Sequence, residues 1–180
     1  MSSIEGPRRQ GSPADCVGNQ NGLRYSGGVS TVYWLDELEM QAWRSLLSAH
    51  SRLMARLDAE LQASQGMSVS DYGVLVQLSE AEDGRMRMSE LADRLLLSPS
   101  GLTRRLDGLV TAGLVNRARC PTDRRGAFAV LTDAGRARLE LAAPDHVEQV
   151  RRHFVDRLSR RQLGALVDAL DKVTNSPPCG

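Results

Sequence analysis

A chain of 180 residues is long enough for one ordinary domain with a real hydrophobic core. Its formal charge of +1 says nothing about nucleic acid by itself, so the distribution of charge has to decide. An uninterrupted apolar run of about 18 residues is absent, the N-terminus lacks a basic stretch followed by an apolar one, and only three widely spaced cysteines occur (Cys16, Cys120, Cys179). These features argue against a membrane span, a secretory signal, a disulfide framework and a zinc module, and a reducing cytoplasm is the expected compartment.

Residues 1–30 are rich in Gly, Ser, Pro, Asn and Gln and carry no apolar periodicity, which predicts a flexible N-terminal arm. Over 31–66, Leu35, Leu38, Trp43, Leu46, Leu47, His50, Met54, Leu57 and Leu61 recur at helical spacing, predicting a long first helix over about 36–65. Ser70 is positioned to cap a second helix carrying Tyr72, Leu75, Val76 and Leu78, ending near Asp83-Gly84. Arg85-Met86-Arg87 has room for one short strand only. Ser89 is the expected cap of a short helix with Leu91, Ala92, Leu95 and Leu96 on its apolar side.

After a tight turn, Ser98 caps the next helix, Pro99 sits at its first position where a missing N–H is harmless, and Gly113 ends it. Two strands follow, 114–119 and Ala127–Leu131, around the turn 120–126. Thr132 begins a long helix to about residue 157, which Pro144 is expected to kink or break. Ser159 and Gln162 form a capping box for a last helix whose apolar face is Leu163, Leu166, Val167, Leu170 and Val173. A short tail, 175–180, closes the chain.

The element order is helix, helix, strand, helix, helix, strand, strand, helix, helix. That is a mainly α fold with a small β-hairpin wing: a winged helix-turn-helix over 67–131, with helical dimerisation segments over 31–66 and 132–174. The first helix and the last two carry broader apolar faces than one small winged helix can cover, so packing against a two-fold mate is expected.

Function concentrates in the helix after Ser98. At about 100° per residue, Leu102, Leu106, Leu109 and Val110 share one arc. Ser100 and Arg104 then point away from it, flanked by Thr103, Arg105 and Asp107. Small hydroxyl residues permit close approach to a major groove, and an arginine there can bond guanine bidentately. Between positions 85 and 125 the chain carries nine arginines against four acidic residues, a local basicity suited to phosphate. The wing turn adds Arg124 and Arg125, able to reach a minor groove, with Asp123 to fix the turn by pairing to a nearby arginine.

The run Leu91-Ala92, Leu97-Ser98-Pro99-Ser100, Thr103-Arg104, Gly113-Leu114-Val115, Asp123-Arg124-Arg125-Gly126, Leu131-Thr132 and Gly135 resembles the MarR family signature. Its discriminating piece is the Asp-Arg-Arg-Gly turn followed by Leu-Thr-x-x-Gly. The resemblance implies a homodimeric transcriptional regulator, commonly a repressor, that binds a pseudo-palindromic operator in double-stranded DNA. It places Ser100, Thr103 and Arg104 in the groove and matches Asp123 and Arg125 to the wing's salt-bridging and minor-groove pair. The expected DNA-contacting set is Ser98, Ser100, Thr103, Arg104, Arg105, Asp123, Arg124 and Arg125.

Relatives of this kind commonly release DNA on binding a small, often aromatic effector between dimer region and reading domain. Trp43, His50, Met54, Tyr72 and His153 are the candidate lining residues here, against the alternative that they are core and interface residues. Cys120 offers a second regulatory reading, because the arginines around it favour a reactive thiolate and an oxidant response. A third reading is a winged helix that binds protein, which an apolar outward face would favour. His146 and His153, seven residues apart on one helix, sit about 10 Å from each other, too far to share a metal. With no glycine-rich phosphate loop, nucleophile elbow or metal-ligand pair, neither an enzyme nor a cofactor is expected.

Overall fold

The computed structural model describes residues 33–119 and 127–175; the arm 1–30, the wing turn 120–126 and the end of the tail lie outside them. The chain falls into two units, Met1–Ser48 and Ala49–Gly180. Helix α1, Glu37–Gln65, begins in the first and ends in the second.

In the first unit the start of α1 is fixed by two reciprocal hydrogen bonds. The Asp36 amide donates to the Glu39 carboxylate and the Glu39 amide to the Asp36 carboxylate, both at 2.8 Å. The two carboxylates thereby satisfy amides that no helical carbonyl can reach. Leu38, Trp43, Leu46 and Leu47 remain exposed.

In the second unit α1 turns inward, burying Leu57 and Leu61, and stops before Gly66, which adopts φ 59°. Helix α2, Val69–Ser79, is capped by Ser68 rather than by Ser70: the Ser68 hydroxyl accepts from the Asp71 amide at 3.0 Å. Asp58 takes the Val69 amide at 2.9 Å, so the helix is already under way at position 70. It also ends before the expected 83–84, because Ala81 is extended and Glu82–Gly84 forms a separate 3-10 turn.

Strand β1, Arg85–Arg87, runs straight into α3, Met88–Arg94. Extended Arg87 therefore occupies the cap position, and Ser89 lies inside the first turn. Helix α4, Pro99–Thr111, starts as its sequence predicts, with the Ser98 hydroxyl accepting from the Gly101 amide at 3.1 Å. Its far end is a Schellman closure. The Gly113 amide bonds the Val110 carbonyl, the Leu114 amide bonds that of Leu109, and Gly113 takes φ 71°, which glycine adopts without steric cost.

Strands β2, Val115–Arg119, and β3, Ala127–Leu131, complete an antiparallel sheet in the order β1-β3-β2. Met86, Ala129 and Val115 lie on its inner face and join Leu75, Leu91, Leu102 and Leu106 in one core. The fold is mainly helical with a small sheet, as the residue pattern predicts.

Thr132 locks the sheet to the next helix, α5, Asp133–His153. Its hydroxyl accepts from the Gly135 amide at 2.9 Å and donates toward the carbonyls of Gly113 and Leu114, at 2.8 and 3.0 Å. Gly135 packs so closely on the Leu114 backbone that a Cβ there would collide with its carbonyl oxygen. The Leu-Thr-x-x-Gly motif thus joins the end of β3, the start of α5 and the turn after α4. Helix α5 is not broken at Pro144; that residue is exposed and so is Glu140, whose carbonyl loses its partner there on a side open to water. The helix ends at His153, and Val155–Arg157 forms a 3-10 turn. Helix α6, Arg160–Thr174, opens with the expected Ser159–Gln162 capping box.

Candidate nucleic-acid interface

Helix α4 is held from behind by Leu102, Leu106 and Leu109, all but sealed from solvent. Ser100, Thr103 and Arg104 consequently face outward and are exposed. The Ser98 and Ser100 hydroxyls lie 3.2 Å apart, and the Thr103 hydroxyl donates to the Pro99 carbonyl at 2.9 Å, leaving oxygen lone pairs free to accept. The Arg104 guanidinium has no partner among the described residues, so it enters any complex without breaking an ion pair.

Arg105 is placed differently. It is half-buried and reaches α2, where its guanidinium meets the Asp71 carboxylate at 3.2 Å. Asp71 also accepts the Ser68 hydroxyl at 2.7 Å, so one carboxylate ties the cap of α2 to the flank of α4. Arg117 of β2 makes a second brace, to the Asp107 carboxylate and the Thr103 carbonyl, each at 2.9 Å. The two braces set the angle of α4 against the rest of the domain. Asp123, Arg124 and Arg125 of the wing turn, with Cys120, lie outside the described residues.

The proposed effector residues come from α1, α2 and α5. Trp43 belongs to the first unit and is half exposed, and His50 and Met54 of the second are exposed as well. Tyr72 packs on His146, ring centroids 4.5 Å apart and planes at 45°. Burial raises the Tyr72 pKa and lowers that of His146. His153 Nε2 meets the Glu60 carboxylate at 2.6 Å, and Arg152 approaches its other oxygen at 3.6 Å. His146 Nδ1, Gln149 Oε1 and His153 Nδ1 are buried on one side of α5 without a hydrogen-bond partner. Sequence reasoning missed His146 and Gln149 in this role, since their contacts come from distant helices. Among the described residues no group of His, Cys, Asp or Glu could hold a metal, and no helix is long and apolar enough to cross a membrane.

A MarR family sequence model matches residues 65–126, which span α2 through the wing turn. Over almost a whole molecule, the chain is 42% identical to AbsC, a MarR family transcriptional regulator from Streptomyces coelicolor. That alignment covers 79% of this chain and 96% of AbsC, with a TM-score of 0.74. The chain belongs to the MarR family. It is a family of transcriptional regulators, not enzymes. A second MarR regulator from the same organism, solved in complex with DNA, is 38% identical over 83% of this chain and 95% of that one, TM-score 0.77. The HTH-type transcriptional repressor YetL of Bacillus subtilis is 35% identical over 88 residues, 49% of this chain. That match spans about half of YetL's own length, 53%.

Proposed function

We propose that this MarR protein is a cytoplasmic, homodimeric, sequence-specific DNA-binding repressor. The observation that carries the reading is the outward side of α4: small hydroxyl residues around one unpaired guanidinium, with every large apolar side chain of the helix turned inward. A protein-docking winged helix would show the reverse. That the 38% identical Streptomyces relative was solved in complex with DNA supports DNA binding here.

In this reading Ser98 and Ser100 approach phosphate, Thr103 and Arg104 meet base edges, and the wing arginines enter the adjacent minor groove. Arg105 acts by holding α4 through Asp71. Two copies present two reading helices to successive turns of a pseudo-palindromic operator. The dimer reading rests on apolar residues left uncovered in one copy: Trp34, Leu35 and Leu38 in the first unit, and Val167 and Val173 on α6 in the second. A small aromatic effector releases the DNA. Support for an effector comes from the Tyr72–His146 stack and the unpartnered buried atoms of α5, which a ligand's polar groups would satisfy.

The decisive test is selection of bound fragments from the organism's own genome at two salt concentrations. Enrichment of one pseudo-palindrome, weakening steeply with salt, is the expected result. Recovery of unrelated fragments with equal frequency would leave α4 without a sequence to read and overturn the proposal.

A further inference from the structure

Gln65 is the last residue of α1, and two residues of α5 hold its side-chain amide. Its Nε2 donates to the Asp145 carboxylate at 2.6 Å, and the Arg138 guanidinium donates to its Oε1 at 2.9 Å. All three side chains are partly buried. Arg138 and Asp145 lie seven positions apart on α5, about 10 Å along its axis. Only a side chain that donates and accepts at once can answer a cation and an anion at the two ends of that span. Both bonds involve a charged partner, which makes them stronger than bonds between neutral groups.

The clasp is one of two connections from α1 to α4. Arg138 stands in the first two turns of α5, the segment that Thr132 and Gly135 fasten to the backbone of Gly113 and Leu114, where α4 ends. On the other route the Asp58 carboxylate takes the Val69 amide at the start of α2, and Asp71 in that same turn holds Arg105 in the middle of α4. All of these residues belong to the second unit. Two anchors fix the direction of a helix, whereas one leaves it able to swing.

We propose that Gln65 determines half-site spacing: by clasping α5 it holds α4 at one angle to α1, so the two α4 helices of a dimer accept one separation of half-sites and reject others. The proposal rests on the dimeric DNA-binding reading. One added base pair moves a half-site by about 3.4 Å and turns it by about 35° around the duplex. A rigid pair of helices cannot follow that displacement, and a loosened pair can.

The test measures binding of the full-length protein to the genome-selected operator, to versions with one base pair added or removed between the half-sites, and to a single half-site. Gln65→Leu nearly keeps the volume and removes both hydrogen bonds. It should lower affinity for the native operator on the order of 10-fold and shrink the preference for native spacing by a similar factor, with half-site binding unchanged. Gln65→Glu alone sets two carboxylates against each other and should also lose the preference. Adding Asp145→Asn exchanges donor and acceptor across the same bond, keeps the contact to Arg138, and should restore the preference. A spacing preference undiminished in Gln65→Leu would overturn the clasp. Weakened half-site binding, or a monomer in sedimentation, would overturn it too, because folding or dissociation would then explain the loss. Should Gln65→Leu fail to fold, the exchange decides alone: no recovery on adding Asp145→Asn overturns the proposal. If the parent protein selected no operator at all, the DNA reading would fall and the clasp with it.

Discussion

Leu75, Leu91 and Leu106 are fully sealed from solvent, whereas Trp34, Leu38 and Val173 are 66%, 74% and 70% exposed. The first three belong to the winged helix, whose sheet and helices close on one another around a single core. The others find no such cover: Trp34 precedes α1, Leu38 lies in its first turn, and α6 fully buries none of its side chains against the described residues, although its apolar residues recur as regularly as those of α4. Periodicity tells which face of a helix is apolar, but not whether the same chain supplies what covers it. Burial of each exposed leucine or valine against a second copy would contribute about 1.5–3 kcal/mol. On the proposed dimer, the difference between the two regions is one between folding and assembly, and substitutions should separate them.

The largest effect is expected in the sealed region. Gly135→Ala drives a methyl group into the Leu114 carbonyl and the Leu131 side chain, at a joint where the backbone cannot yield cheaply. Overpacking against backbone should destabilise by on the order of 3 kcal/mol, seen as a lower denaturant midpoint. A loss below about 1 kcal/mol would mean that the joint between the α4 turn and α5 is loose. Next comes the uncovered region. Val167→Glu with Val173→Glu should leave the winged helix folded by circular dichroism yet make the protein monomeric in sedimentation. Operator affinity should drop by on the order of 100-fold, because two half-sites would no longer be held together. A persistent dimer would show that α6 is not its interface.

Legibility in the sequence follows the same division. The outward side of α4 could be read because four apolar residues fix the helix phase, and Ser98-Pro99 fixes its start. The two strands after α4 could be read because the helical period stops at Gly113 and turn residues separate them. Caps were harder: Ser68 and Ser70 are chemically equal candidates, and only the break at Gly66 and the carboxylate of Asp58 decide for Ser68. Ser89 loses its capping role because β1 leaves no residue between strand and helix. Arg105 read as a flank of the DNA face, yet its partner Asp71 is 34 positions away, and no local pattern reveals a contact of that range. Tyr72 and His146 met for equally non-local reasons.

A smaller effect is expected at Leu96, the exception inside the sealed region. This leucine is 93% exposed and holds φ 53° in the turn before α4, a conformation that crowds its Cβ. Leu96→Gly gives up almost no burial and relieves that crowding, so it should raise stability by about 1 kcal/mol or less. Leu96→Ala retains the Cβ and should not. Equal midpoints for the two variants would show that the turn carries no strain.

The smallest effect depends on pH and concerns His146, where α5 leans on Tyr72 of the sealed region. Burial holds the His146 pKa below its ordinary 6.5, so the folded protein binds a proton there less readily than the unfolded chain. Its contribution to stability is then complete above about pH 6.5 and is lost as pH falls from there toward the lowered folded value, since unfolding takes up a proton. His146→Phe keeps a ring on Tyr72 and removes the titration. Denaturation midpoints at constant protomer concentration should fall less steeply between about pH 6.5 and 5 in this variant than in the parent, the two differing little above pH 7. Parallel profiles would mean that His146 takes up its proton in the folded state with no penalty, and that α5 yields at this point more easily than the core beneath it.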